Sequence, residues 1–236
     1  MYTYDFRVGF SQSDVDHKMT MTAIIDAFQD CSCFQSDELG VGFEYLEPRN
    51  LVWVLNYWDV DIVRQPMYGE KITVGTFPYE FNGFMGCRNF FLRDADDYVV
   101  KANSIWVLMD WNNQRIVKAS DDIVSKYTIE DRLDMDYKSR KVAVPKDVAG
   151  DEREMIVVGQ QHLDSNGHVN NGQFIKIAMS QMIDKTEIVK LRAEYKAQAH
   201  LGDEIYPVVY TRDNSYTIAL NDREGKPYTV VELIVR

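Results

Sequence analysis

One structural unit is written twice along this chain, and that duplication limits the available folds more than any other feature. In the first copy Tyr2, Tyr4, Phe6, Val8 and Phe10 alternate with Thr3, Asp5, Arg7 and Gly9. Apolar residues at every second position line one face of a strand, so the stretch predicts a half-buried strand. A polar loop follows, from Ser11 to Thr20, and then a helical stripe of Ile24, Ala27, Phe28, Cys31 and Phe34 or Gln35. It ends near Leu39-Gly40, where glycine accepts the left-handed conformation that closes a helix. The second copy repeats the order: a strand from Met155 to His162, a loop, and a helix bearing Phe174, Ile177, Ala178, Gln181 and Met182. Asp14 matches Asp164, which sets Asp16 on Asn166 and Lys18 on His168. Further on, Arg64-Gln65-Pro66-Met67-Tyr68-Gly69-Glu70-Lys71-Ile72 pairs with Ala197-Gln198-Ala199-His200-Leu201-Gly202-Asp203-Glu204-Ile205, sharing Gln-x-x-x-Gly-acid-x-Ile.

Each helix is followed by strands. Trp58, Val60 and Ile62 alternate with Asp59 and Asp61, and 71–76, 84–93 and 101–109 follow; 186–199, 204–211, 216–221 and 228–235 play the same parts in the second half. One apolar helix stripe facing several antiparallel strands implies an α+β fold, a sheet wrapped around a helix, in each half. The expected domains are 1–130 and 154–236, joined by a linker over 131–153, with a short helix from Asp121 to Tyr127 ahead of it. Residues 129–154 include 14 charged residues in 26, plus Pro145 and Gly150, which predicts a solvated segment.

The chemistry concentrates in Asp164-Ser165-Asn166-Gly167-His168-Val169-Asn170-Asn171. A carboxylate, an amide and an imidazole stand at alternate positions, and on extended backbone they would project to one side and converge. The N-terminus of the next helix would add unpaired N–H groups. The same residue types also build turns and caps: Asn166-Gly167 is a turn dipeptide, and Asn170 or Asn171 can cap the helix. The remaining histidines read as structural, His162 packing or bonding locally, His17 in the degenerate first copy and His200 in a turn. No two histidines have metal-ligand spacing on one helix, so neither a metal nor another cofactor is expected.

A net charge of −11 argues against nucleic-acid binding. No apolar run approaches the roughly 18 residues of a membrane span, so no stable membrane association is expected. The first residues lack the basic and apolar blocks of a signal peptide, which makes a cytoplasmic location the expectation. Cys31, Cys33 and Cys87 form no disulfide framework and read as small apolar fillers.

The doubled order and the string from Asp164 to Asn171 resemble the acyl-ACP (acyl carrier protein) thioesterases, tandem hotdog proteins in which each half wraps an antiparallel sheet around one helix. Phe28-Gln29-Asp30, Trp53-Val54-Leu55, Arg64-Gln65-Pro66, Thr76-Phe77-Pro78, Ser104-Ile105-Trp106-Val107 and Glu194-Tyr195-Lys196 add to the likeness, which covers almost the whole chain. The resemblance implies hydrolysis of a fatty acyl-ACP thioester to free fatty acid, with Asp164, Asn166 and His168 at the family's catalytic positions. His168 is the natural base or proton shuttle. Asp164 would support His168 or activate water itself, with nucleophilic attack by Asp164 ranked below attack by water. Asn166 could polarise the carbonyl. The family often carries Glu shortly after the Glu-Tyr pair, and many plant members then carry Cys; here those positions hold Gln198 and Ala199. Gln198 cannot act as a base and could only position water or substrate, and loss of the thiol favours water. The first half, having lost the signature, would hold the acyl chain, with Phe28 and Met85 as candidate lining or plain core.

The partner this implies is acyl carrier protein, which is acidic and needs local positive charge. Lys185, Lys190, Arg192 and Lys196, or Arg88, Arg93, Arg115 and Lys118, could supply it, although most surface charges are simply solvated. The sequence leaves a homodimer open. The competing readings are an acyl-CoA thioesterase of the same fold and a non-hydrolytic acyl-binding hotdog protein, for which Gln198 is the best argument. A hotdog dehydratase fits less well.

Overall fold

Strand β1 (Tyr2–Arg7) alternates partly buried and exposed residues and runs into the buried Val8, as its sequence pattern requires. In this computed structural model all residues except 183–186 are described. Contacts group them into two units, Met1–Asn56 with Val60–Tyr137, and Tyr57–Asp59 with Lys138–Arg236. In the first unit β1 is followed by α1 (Met21–Glu38), α2 (Phe43–Leu46), β2 (Leu51–Ile62), β3 (Lys71–Asn82), β4 (Met85–Arg93), β5 (Tyr98–Asp110), β6 (Arg115–Val117) and α3 (Asp121–Val124). Its strands run in the order β1-β3-β4-β5-β2, with β6 on β5.

Helix α1 begins where the Thr20 hydroxyl accepts the Ala23 N–H at 3.1 Å, and Gly40 follows it with a φ of 70°. Its buried stripe is Ile24, Ala27, Phe28, Cys31 and Gln35; Phe34 is exposed, and Cys33 lies on the outer side. The Phe28 ring, with no exposed surface, packs 5.3 Å from that of Phe90 on β4. Such a ring has nowhere to relax, so Phe28→Ala is expected to cost about 3–5 kcal/mol. Chemical denaturation checks this, and a loss below about 1 kcal/mol would remove Phe28 from the core.

The second unit contains β7 (Asp151–Glu152), β8 (Ile156–Val157), α4 (Asn171–Met179), β9 (Ile188–Tyr195), β10 (Glu204–Arg212), β11 (Ser215–Asn221) and β12 (Pro227–Val235). Their order is β9-β12-β11-β10-β7, with β8 on β10, and α4 packs on β11 and β12. Three expectations change here. The strand expected from Met155 to His162 shrinks to β8 and a 3-10 turn at Gln160–His162, because the Gly159 N–H turns back onto His162 Nδ1 at 3.0 Å. Helix α4 stops at Met179 rather than Met182: the Ser180 hydroxyl and the Gln181 amide both donate to the Ile177 carbonyl, at 2.7 and 3.2 Å. Strand β9 ends at Tyr195, where Lys196 and Ala197 N–H groups share the Tyr228 carbonyl, and the strand's expected first residue, 186, lies outside the described residues.

The charged linker is not solvated throughout. In the first unit the fully buried Asn89 accepts the Leu133 N–H (3.2 Å) and the Tyr137 hydroxyl (2.9 Å). In the second unit Asp59 accepts the Lys138 N–H at 3.2 Å, Glu194 accepts the Val142 N–H at 2.9 Å, and Val142 itself is buried. Polar acceptors on a sheet face must find donors when covered, and the linker backbone supplies them. Among the described residues no helix is long and apolar enough to cross a membrane.

Candidate active site

The signature loop is a tight turn rather than an extended segment. Asp164 N–H donates to the His168 carbonyl at 2.8 Å, and Gly167 N–H to the Asp164 carbonyl at 3.1 Å. Inside that ring the carboxylate oxygen Oδ1 of Asp164 accepts the N–H groups of Asn166 (2.8 Å) and His168 (3.2 Å). Gly167 has a φ of 77°, a left-handed conformation in which glycine is unstrained. An aspartate that bonds its own following backbone is a common turn builder, and this chemistry defeats the extended reading.

The first copy builds the same turn. Asp14 N–H donates to the Lys18 carbonyl at 2.8 Å, and Asp14 Oδ1 accepts the N–H groups of Asp16 and Lys18, both at 2.9 Å. The surrounding bonds match as well. Met19 N–H to Pro66 O (2.7 Å) corresponds to Val169 N–H to Ala199 O (2.9 Å), and Gly69 N–H to Val8 O (2.9 Å) to Gly202 N–H to Val158 O (2.9 Å). The repeat alignment therefore holds hydrogen bond by hydrogen bond. The aspartate forms this turn whether histidine or lysine follows it.

The turn ties the Asp164 carboxylate to the His168 backbone, and its charge acts on the His168 ring. Asp164 is partly buried, and His168 retains 9% exposure. Asn166 stands exposed at the tip, and its carboxamide makes no hydrogen bond among the described residues. Burial lowers the His168 pKa, and the nearby charge of His200 lowers it further, while Asp164 pulls the other way. The imidazole is thereby held neutral, the form a base needs. Next to the turn, Asn170 caps α4, its Oδ1 accepting the Gly172 N–H at 2.7 Å, and the Tyr195 hydroxyl donates to the Asn171 carbonyl at 3.0 Å.

The contact between His200 and His168 is one that the sequence reading did not foresee. His200 sits in a turn as expected, but it also pairs with His168 across an isolated β-bridge, the rings 4.6 Å apart and T-shaped at 69°. The signal lay in the alignment: Lys18 bridges Met67 in the first copy, and Met67 is the counterpart of His200. Gln198, partly buried, lies two residues before His200 on the same segment. Its counterpart Gln65 donates from Nε2 to the Met19 carbonyl at 2.8 Å. His162 bonds locally, as its sequence position suggested. Among the described residues no three His, Cys, Asp or Glu side chains gather as a metal site would require.

Phe28 and Met85 are not brought together. Phe28 meets Phe90, five residues from Met85 along β4, a distance of about 17 Å at the usual strand rise. Strand alternation also sets Met85 on the sheet face opposite Phe90. The charged candidates for docking thin out too. Arg88 is buried and bonds Gln35; Lys190 is buried and pairs with Asp59 at 3.0 Å; Arg192 binds Glu232 at 2.7 Å and the Tyr57 hydroxyl at 2.9 Å. These positions fall on covered sheet faces, where a cation must be paired or bonded. Arg93, Arg115, Lys118 and Lys196 are exposed, Lys196 beside Glu194 at 2.7 Å, and Lys185 lies outside the described residues.

An antiparallel sheet with its helix, present twice, defines a tandem hotdog protein of the α+β class. Residues 1–127 match the model of the acyl-ACP thioesterase N-terminal domain, and the chain belongs to the acyl-ACP thioesterase family. It is 25% identical to a chloroplastic acyl-(acyl-carrier-protein) hydrolase of Cuphea viscosissima, over 94% of this chain and 62% of that protein. It is 23% identical to oleoyl-acyl carrier protein thioesterase 1 of Arabidopsis thaliana, over 79% of this chain and 57% of that protein. The chain thus spans under two thirds of the length of these curated relatives. Among solved structures, an acyl-ACP thioesterase from Bacteroides thetaiotaomicron superposes with a TM-score of 0.88 at 20% identity, covering 99% of this chain and 97% of that one. The 12:0-ACP thioesterase of Umbellularia californica gives 0.86 at 16% identity, covering 100% and 96%. At these identities the structural likeness speaks for the fold.

Proposed function

We propose that this protein hydrolyses the thioester between a fatty acyl chain and acyl carrier protein, releasing the free acid and the carrier thiol. The observation that carries the reading is the placement of a buried imidazole, His168, in a turn whose twin in the other copy holds a lysine. In the proposed reaction a water oxygen attacks the thioester carbonyl carbon while His168 takes the water's proton. The carbonyl electrons move to oxygen, where the uncommitted Asn166 carboxamide donates a hydrogen bond. Collapse breaks the carbon–sulfur bond, and His168 returns the proton to the leaving sulfur. Asp164 is already engaged by two backbone N–H groups. That engagement favours a supporting carboxylate over a nucleophile. Gln198 positions water or substrate from the neighbouring segment. The first copy, with Lys18 in place of the histidine, holds the acyl chain. We place the reaction in the cytoplasm, where three unpaired thiols are stable, and leave association into a homodimer to measurement.

The test is free-acid release from acyl-ACP and acyl-CoA thioesters of matched, graded chain lengths. Faster turnover on the carrier-protein substrates is expected. Docking through Arg93, Arg115, Lys118 or Lys196 would make kcat/KM on acyl-ACP fall severalfold as salt rises, with little change on acyl-CoA. Equal activity on both carriers at every ionic strength would favour an acyl-CoA thioesterase. Acyl thioester that stays bound and intact would favour the non-hydrolytic alternative.

A further inference from the structure

We propose that His200, with Asp203 beside it, is a positioning residue that works through His168, keeping that imidazole ready as a base for the attacking water. This rests on the hydrolase reading above and adds a residue to it. Gln198 and Ala199 offer no group for proton transfer, since an amide does not accept a proton at neutral pH and alanine has no polar side chain. His200 is the next side chain along that segment and the first able to carry a proton. The Val169 N–H to Ala199 carbonyl bond (2.9 Å) fixes the register between segment and turn, and the bridge to His168 brings the rings to 4.6 Å.

Beyond His200, one carboxylate oxygen of Asp203 accepts the His200 backbone N–H at 2.8 Å and lies 3.7 Å from ring Nδ1. That distance exceeds a hydrogen bond, so Asp203 fixes the His200 backbone while its ring, 59% exposed, stays open to water. The first copy forms the same small turn, with Met67 N–H on Glu70 Oε2 at 2.8 Å, while Met67 bridges Lys18. The turn needs no imidazole at either place, so the histidine pair is not required by the fold. Among the described residues, Asp164 acts on the His168 ring and Asp203 lies beside that of His200. Burial first, and then the charge of Asp203, raises the phenol pKa of Tyr228 on β12, which keeps it neutral.

The proton path balances without an added reagent. His168 takes a proton from the attacking water and gives one to the departing sulfur, so the thiol and the carboxylic acid leave neutral. The acid then loses its proton to solvent, and His168 is left neutral for the next turnover.

His200→Phe keeps an aromatic ring against His168 but carries no proton or charge. Its kcat/KM on acyl-ACP should fall about tenfold below neutral pH. The acid limb of its pH profile should move to higher pH, because His168 loses a neighbour that resists its protonation. Proton NMR of the His168 ring, assigned with His168→Ala, should show its titration midpoint moving the same way. An unchanged midpoint, or a wild-type pH profile in the variant, overturns the proposal. Wild-type protein that hydrolyses no acyl thioester defeats the hydrolase reading instead, and the ring titration still decides whether the two histidines are coupled.

Discussion

Replacing His168 with alanine is expected to lower kcat on acyl-ACP by about 10²–10⁴-fold, the usual worth of a positioned proton-transfer group. The fold should persist, because Asp164 and backbone groups close the turn. A thermal melt should move only by the equivalent of about 1 kcal/mol, a typical change for a single substitution. His168→Lys sharpens the test. Lysine occupies the equivalent place in the first copy with every turn bond intact, so this variant should fold normally and still be inactive. Single-turnover release of free acid is the measurement, and near-normal rates in either variant would reject His168 as the base. The wild-type pH profile offers a second check. The base must be neutral, and burial together with His200 lowers the His168 pKa. Activity should therefore persist below the ordinary histidine midpoint of about 6.5.

The duplicated plan could be read from the sequence because its marks are local. An aspartate that bonds the backbone two and four residues on marks the turn in both copies, although the positive-φ position holds His17 in one and Gly167 in the other. The alignment of Asp14 with Asp164 and of Pro66 with Ala199 therefore predicts individual hydrogen bonds. What failed was inference from spacing without knowledge of the backbone. Alternation at 164, 166 and 168 implies convergence only on an extended chain, and the carboxylate of Asp164 itself curls that chain into a turn. The linker was misread for a different reason: its partners, Asn89, Asp59 and Glu194, lie far away in sequence, and charge density says nothing of backbone N–H groups sought by distant acceptors. Arg88 and Lys190 likewise looked like surface cations until the strand faces they occupy were known. The His168–His200 contact needed two separate matches, loop with loop and segment with segment, to be laid side by side.

Asp164 poses the sharper question, since one carboxylate serves both a turn and, in our reading, a reaction. Asp164→Ala and Asp14→Ala should each cost about 1–3 kcal/mol, because each leaves two backbone N–H groups without their acceptor. Their effects on turnover should diverge. Asp14→Ala should leave kcat within about twofold, as a change at an independent site does, whereas Asp164→Ala should lose about 10²-fold or more as the base shifts and its electrostatic support vanishes. Asp164→Asn separates the two roles, for the amide oxygen can still accept both N–H groups while the charge is gone. That variant should melt close to wild type yet turn over about tenfold more slowly. Its acid limb should move to lower pH, because Asp164 is the group that raises the His168 pKa. This shift runs opposite to that expected for His200→Phe, so the pair of variants brackets the imidazole from both sides. Full activity and an unmoved pH profile in Asp164→Asn would leave Asp164 as a turn builder alone, doing in the second copy only what Asp14 does in the first.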